Sequence, residues 1–418
     1  MSCIRIVGGR KLEGEVMLQG SKNAVLPILA ASVLCNGKVV IKRCPNISDV
    51  RELLQALDSA GIKSSLRDGE LEVDTVNATP IFFGPEYAGK TRGGVLLLGA
   101  FLGRFGEAGM AYPGGCVIGA RPIDLHCKVF RMMQAKLKES EEGVTVKGKL
   151  KGGKIKLPYP SVGATENGIL AAVCAEGVSV ISGAATEPEV TELCRFLRKA
   201  GAKIRGIGTS VLEITGGSRL HGVEYTLTGD RIVAGTYLGA TAMTGGEILL
   251  RGTEGVCMKG IFDSFSAAGL SVSRNRDCIR LHAPGKILPI KELKTAPYPG
   301  FPTDMQSQMT AILSLAEGES KIYETVFESR FGVVPELKKM GADVQNEGRC
   351  IRIRGGNRLH GETVYATDLR TGAALVSAAL AAEGESIVYG DEYIDRGYED
   401  ICKTFRLLGA DISETDEK

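Results

Sequence analysis

A helix-ending phrase recurs along this chain at nearly fixed intervals, and that period constrains the fold more than any other feature. Ala60-Gly61-Ile62, Ala200-Gly201-Ala202, Ala268-Gly269-Leu270, Met340-Gly341-Ala342 and Leu408-Gly409-Ala410 set their glycines 140, 68, 72 and 68 residues apart. The first gap is about twice the others, which places a hidden copy near residue 134. Met133-Gln134-Ala135 stands there, with Gln in place of Gly. The chain therefore holds six units of roughly 70 residues, longer than the usual solenoid repeat of about 20–50.

Each unit reads βαβαββ. In the first, a strand around Gly14–Leu18 leads to a small-residue helix, Ala24–Leu34, and then to a strand at Lys38–Lys42. Val50, Leu53, Leu54 and Leu57 keep the spacing of an amphipathic helix. The glycine after it suits a left-handed C-cap, and two short strands turn at Asp68-Gly69, a favoured hairpin pair. The first helices of later units (Gly163–Ala175, Gly235–Thr244, Thr371–Ala382) are rich in Ala and Gly, which lets helices approach closely. The pattern predicts an α/β fold with helical centres wrapped by sheets. A chain of 418 residues exceeds one hydrophobic core, so two domains of three units each are expected.

Charge excludes some partners. Lys and Arg number 51 against 49 Asp and Glu, a balance with no electrostatic footprint for nucleic acid or an anionic membrane. The apolar stretches at Val95–Leu102 and Ala373–Ala382 fall short of the ~20 residues of a membrane span. The N-terminal stretch lacks the pattern of a secretory signal, so a cytoplasmic protein is expected. Eleven cysteines without a CxxC pair read mostly as buried reduced thiols. His126, His221, His282 and His360 never reach ligand spacing, so no structural metal is expected. The expected partners are small-molecule substrates, and the expected assembly is a monomer or weak oligomer.

Three phrases carry chemistry. Pro113-Gly114-Gly115-Cys116-Val117-Ile118-Gly119-Ala120-Arg121 is either an ordinary turn or a lid that closes over a ligand and expels water. A thiol on such a loop, five residues from Arg121, can act as a general acid near neutral pH. Lys22, Asp230-Arg231, Asp304 and Arg370 each fall just before the small-residue helix of their unit. Helix N-termini are anion sites, and cations placed there strengthen them. Pro297, Pro299 and Pro302 fix an extended approach that delivers Asp304 at a helix start, where it serves either as a simple N-cap or as a functional carboxylate.

Taken together, GSKNAVLPILAA (20–31), PGGCVIGARPIDLH (113–126), SVGATENGILAA (161–172), EPEV (187–190), DRIVAGTYLGA (230–240), TAPYPGFPTDMQ (295–306), ETVFESRF (324–331), ATDLR (366–370) and DRGYE (395–399) resemble the UDP-N-acetylglucosamine 1-carboxyvinyltransferase family from end to end. The resemblance implies a two-domain inside-out α/β barrel of enolpyruvyl transferase type, with the active site between the domains. One domain would span 22–229 and the other 1–21 with 230–418. It also implies transfer of the enolpyruvyl group of phosphoenolpyruvate to the 3-hydroxyl of UDP-N-acetylglucosamine, the first committed step of peptidoglycan synthesis, with no metal and no organic cofactor.

By the same resemblance Cys116 donates a proton to the methylene carbon and Asp304 accepts the hydroxyl proton. Lys22, Asn23, Arg92 and Arg121 surround the phosphate, while Arg370 and Arg396 grip the carboxylate. The UDP-sugar is held by Arg92, Arg121, Pro122, Ile123, Asp124, Leu125, Ser161, Val162, Gly163, Asp304 and Val326. Glu187, Asp230, Arg330 and Asp368 form a supporting network. The chain departs from the family pattern at Ser48, Leu96, Gly229 and Val233, which allows a modified UDP-sugar as acceptor. The alternatives are a 3-phosphoshikimate carboxyvinyltransferase, which should lack the Cys loop, and a non-catalytic UDP-sugar-binding paralogue.

Overall fold

The computed structural model describes residues 2–88, 92–112, 119, 122–283 and 285–416. Six small-residue helices appear at the expected places: α1 (Lys22–Ser32), α2 (Leu96–Phe105), α3 (Val162–Cys174), α4 (Arg231–Thr244), α5 (Gln306–Ser314) and α6 (Leu369–Ala381). Each precedes a strand and an amphipathic helix, from Ser48–Ser59 in the first unit to Ile401–Leu407 in the last. The repeated glycine is left-handed in all five copies, with φ from +78° at Gly269 to +110° at Gly201. Gln134 adopts the same conformation, φ +66°. The hidden sixth copy thus keeps the backbone of the others, although a Cβ makes that conformation costly.

Among the described residues, six four-stranded sheets share one order. In the third, Lys154–Lys156 runs parallel to Val178–Ser182, followed by Val211–Thr215 and the edge strand Lys203–Arg205. The sheets are not each built from one contiguous repeat. Glu13–Met17, the leading strand of the first repeat, pairs with Glu247–Arg251 of the fourth. Glu224–Thr226 takes the vacated place beside Val39–Lys42. The sixth sheet is completed by the N-terminal strand Ser2–Val7, between Glu385–Tyr389 and Asp411–Asp416. A strand must pair its backbone groups with some neighbour, and local sequence does not say which.

The described residues fall into two compact units. The first holds 2–19 and 228–416 with Gly119; the second holds 20–112 and 122–227. Each has its own core. Leu238, Phe265, Leu375 and Phe405 are fully buried in the first, and Ile28, Phe101, Leu170 and Phe196 in the second. Each such side chain contributes about 1.5–3 kcal/mol. Small residues are required where α2 meets α3: a Cβ on Gly99 would stand 2.4 Å from Asn167 Oδ1 and 2.8 Å from its backbone oxygen. Overpacking of this kind costs about 1–3 kcal/mol. Among the described residues no helix is long and apolar enough to cross a membrane.

Candidate active site

In the first unit, the Pro-rich phrase runs from the strand Leu293–Lys294 into a single 3-10 turn, Thr303–Met305, and then α5. Asp304 lies in that turn. Neither the turn nor α5 receives a side-chain cap, so the N-cap reading of Asp304 does not hold. Its carboxylate is spanned by two guanidiniums instead. Arg330 Nη1 donates to Oδ1 at 2.8 Å, and Arg370 Nη2 donates to Oδ2 at 2.7 Å. Asp304 keeps 23% of its side chain exposed, while the arginines keep 4% and 5%. Burial pushes the Asp304 carboxyl up, but Arg370 and then Arg330 outweigh it and hold it well below the usual carboxylate range.

The two arginines are anchored differently. Arg370 is the second residue of α6, whose true cap is Asp368: its carboxylate accepts from Arg370 N at 2.8 Å and Thr371 N at 3.1 Å. Among the described residues, the Arg370 guanidinium hydrogen-bonds Asp304 alone. Arg330 also donates to Thr303 Oγ1 at 2.9 Å, and its guanidinium lies 4.6 Å from the centre of the Phe327 ring. Val326 sits in the same loop, its N–H donating to the buried Glu324 at 2.8 Å. Asp230 caps α4 by accepting from Ile232 N and Val233 N. Arg396 is half-buried after the short helix Asp391–Ile394. Gln19 clamps the segment that follows, donating to Gly397 O and accepting from Glu399 N.

In the second unit, Lys22 opens α1 and pairs with Asp49 at 2.8 Å, with 10% and 3% of the two side chains exposed. Asn23 Nδ2 reaches Glu189 Oε1 at 3.5 Å. Glu187, at the start of the helix Pro188–Lys199, and Glu189 are both buried. Glu166 of α3 is 4% exposed, and burial, then Glu189 and Glu187, push its carboxyl well above the usual range. Ser161 caps α3 through Ala164 N.

Asn167 ties this unit together. It donates to Val95 O at 3.0 Å and His126 Nδ1 at 2.7 Å, and accepts from Gly99 N at 2.8 Å. Its bonds hold the turn Arg92–Val95 and the helix Asp124–Met132 against α3. The His126 ring lies against Gly163 at the start of α3.

Cys116, Arg121 and the side chain of Arg92 lie outside the described residues. The structure unites Asp304, Arg330, Arg370 and Asp368 in one unit, and Lys22, Asn23, Glu187 and the 122–125 and 161–163 segments belong to the other. Sequence reasoning passed over Asp49, Asn167, Thr303 and Glu324. The last three fall inside phrases already singled out, but nothing local separates them from their neighbours. Among the described residues no group of His, Cys, Asp or Glu could hold a metal ion.

A family model described as EPSP synthase (3-phosphoshikimate 1-carboxyvinyltransferase) matches residues 6–405. The chain is 44% identical over 419 residues to a UDP-N-acetylglucosamine 1-carboxyvinyltransferase of Dichelobacter nodosus, covering 100% of both chains. It is 42% identical over 413 residues to UDP-N-acetylglucosamine 1-carboxyvinyltransferase 2 of Caldanaerobacter subterraneus subsp. tengcongensis, covering 99% of each. Among solved structures, the enolpyruvyl transferase NikO of Streptomyces tendae superposes with a TM-score of 0.90 at 26% identity, over 100% of this chain and 99% of that one. An EPSP synthase of Acinetobacter baumannii shares the fold over the full length of both chains, with a TM-score of 0.78 at 18% identity. The glycine period, the six like sheets and these full-length matches agree: the chain belongs to the enolpyruvyl transferase family, in its UDP-N-acetylglucosamine 1-carboxyvinyltransferase branch.

Proposed function

We propose that this protein transfers the enolpyruvyl group of phosphoenolpyruvate to the 3-hydroxyl of UDP-N-acetylglucosamine and releases phosphate, in the cytoplasm, as the first committed step of peptidoglycan synthesis. The observation that carries the reading is the Asp304 carboxylate, kept charged between Arg330 and Arg370 and still open to solvent along one edge. In the addition step the sugar oxygen bonds to C2 of phosphoenolpyruvate, Asp304 takes the hydroxyl proton, and the Cys116 thiol protonates C3. In the elimination step C3 loses a proton, the bond from C2 to the phosphate oxygen breaks, and the enol ether remains. Lys22, Asn23, Arg92 and Arg121 meet the growing charge on phosphate, the kind of fixed electrostatic support that lowers such barriers.

A carboxylate paired with two arginines is a poor base, and the unequal anchoring of the pair resolves this. The donor's carboxylate competes with Asp304 for Arg370, helped by Arg396, because planar guanidinium forks suit carboxylates. Asp304 then loses one of its two guanidinium partners, and its basicity rises as the sugar hydroxyl arrives. Arg330 and Asp368 position these groups. The 122–125 and 161–163 segments with Val326 hold the UDP-sugar.

The test is phosphate release from phosphoenolpyruvate with and without UDP-N-acetylglucosamine. Release that depends on the UDP-sugar is expected. Release that requires shikimate 3-phosphate instead, or none with either acceptor, would overturn the assignment.

A further inference from the structure

Glu324 is fully buried, and among the described residues no salt bridge reaches it. Its Oε1 accepts from Thr295 Oγ1 at 2.9 Å, Val326 N at 2.8 Å and Phe327 N at 3.1 Å. Its Oε2 accepts from Thr303 Oγ1 at 2.8 Å. A carboxylate this deep persists only when its lone pairs are filled, and here two hydroxyls and two backbone groups fill them.

We propose that Glu324 and Thr303 are positioning residues that aim Asp304 through Arg330; this rests on the reading of Asp304 as the base. Thr303 Oγ1 donates to Glu324 Oε2, so its single hydroxyl proton is committed there. The lone pairs of Thr303 are thereby turned toward Arg330 Nη1, 2.9 Å away. That nitrogen carries two hydrogens, and both are spent: one on Thr303 and one on Asp304 Oδ1. The guanidinium cannot rotate about its edge without losing one of them. Phe327, whose ring faces the guanidinium, has its own N–H on Glu324. One carboxylate therefore fixes the polarity of the relay, the ring beside Arg330 and the loop that carries Val326. Among the described residues Arg370 has no such scaffold. When Arg370 turns to the donor's carboxylate, Arg330 keeps Asp304 pointed at the acceptor.

The relay is tested by steady-state kinetics and pH profiles of the full chain carrying T303S, T303V, E324Q or D304N. Thr303→Ser keeps the hydroxyl and should hold kcat within about twofold. Thr303→Val is nearly isosteric but breaks the relay, so kcat should fall about tenfold or more, the scale expected when a reacting group is misaimed. The KM for UDP-N-acetylglucosamine should change little, and the acid limb of kcat should move to higher pH as Arg330 loosens from Asp304. Glu324→Gln keeps the shape but presents an N–H to Thr303, reversing the relay, and should behave like T303V. If T303V does not fold, E324Q and Thr303→Ala carry the comparison. Folded T303V or E324Q with near-normal kcat, or T303S impaired as deeply as T303V, would overturn the relay. The two readings fail differently: near-normal turnover in D304N rejects the base, whereas an inactive D304N beside an active T303V rejects only the relay.

Discussion

Asp304 in the first unit and Glu166 in the second are both largely withdrawn from water, and their surroundings drive them in opposite directions. Burial pushes each toward the neutral acid. At Asp304 that push is reversed by Arg370 and Arg330; at Glu166 it is reinforced by Glu189 and Glu187. One site favours the charge and the other favours the proton. The nearest fixed charges, more than depth, decide what a buried acid can do. A charged carboxylate orients cations and accepts a proton, while a neutral one can only donate its own. Lys22 with Asp49 is a third case, a buried ammonium set against a buried carboxylate.

The comparison would be broken most forcibly at Asp304. Asp304→Ala leaves two guanidiniums, 4% and 5% exposed, without their shared counter-charge. The expected loss is about 3 kcal/mol, the low end for a broken buried pair because the carboxylate still meets water. The folded pKa lies below the unfolded value of about 3.9, so this stabilisation is complete above that pH. It disappears as pH falls through the folded value. Denaturant midpoints of the two proteins should therefore differ at pH 7 and converge below about pH 4. Equal midpoints at pH 7 would mean that the clasp adds nothing to folding.

Glu166→Gln sharpens the other side. The folded pKa is raised, so wild type loses stability as pH rises from about 4.3 toward that value, while Gln does not titrate. The variant should match wild type near pH 4 and gain on it by about 1.4 kcal/mol per pH unit across the interval. Parallel stability curves for the two proteins would show that Glu166 is ionised when folded.

What could be read from the chain follows the same divide between local and distant causes. The glycine period is local, since each copy ends its own helix, and it located even Gln134. The exchange of Glu13–Met17 and Glu224–Thr226 between sheets was not legible in the local pattern, because alternation fixes a strand's faces and not its partner, although the family resemblance had set 1–21 apart from 22–229. Asp304, Arg330 and Arg370 stood out within distinctive phrases. Asp304 nevertheless kept two readings until the structure placed Arg330 and Arg370, 26 and 66 residues away, on its oxygens. Asn167 acts through such distant contacts, and Glu324 joins two of them, Thr295 and Thr303, to the N–H groups of its own loop; neither carries a local mark. The smallest expected effect belongs to the local feature: Gln134→Gly should raise stability by about 0.5–1 kcal/mol by relieving the left-handed Cβ. A destabilised variant would mean that the Gln134 side chain is itself held by useful contacts.

The central claim is that Asp304 is the base, kept charged and aimed by its arginines. Asp304→Asn keeps the shape and can still accept from one guanidinium, but it cannot take up the hydroxyl proton. The decisive measurement is kcat for this variant, normalised to folded protein and read beside its affinity for UDP-N-acetylglucosamine. The account predicts near-normal binding of the UDP-sugar with turnover lower by about 10²-fold or more, the usual scale of general acid–base catalysis. Turnover equal to wild type would contradict it.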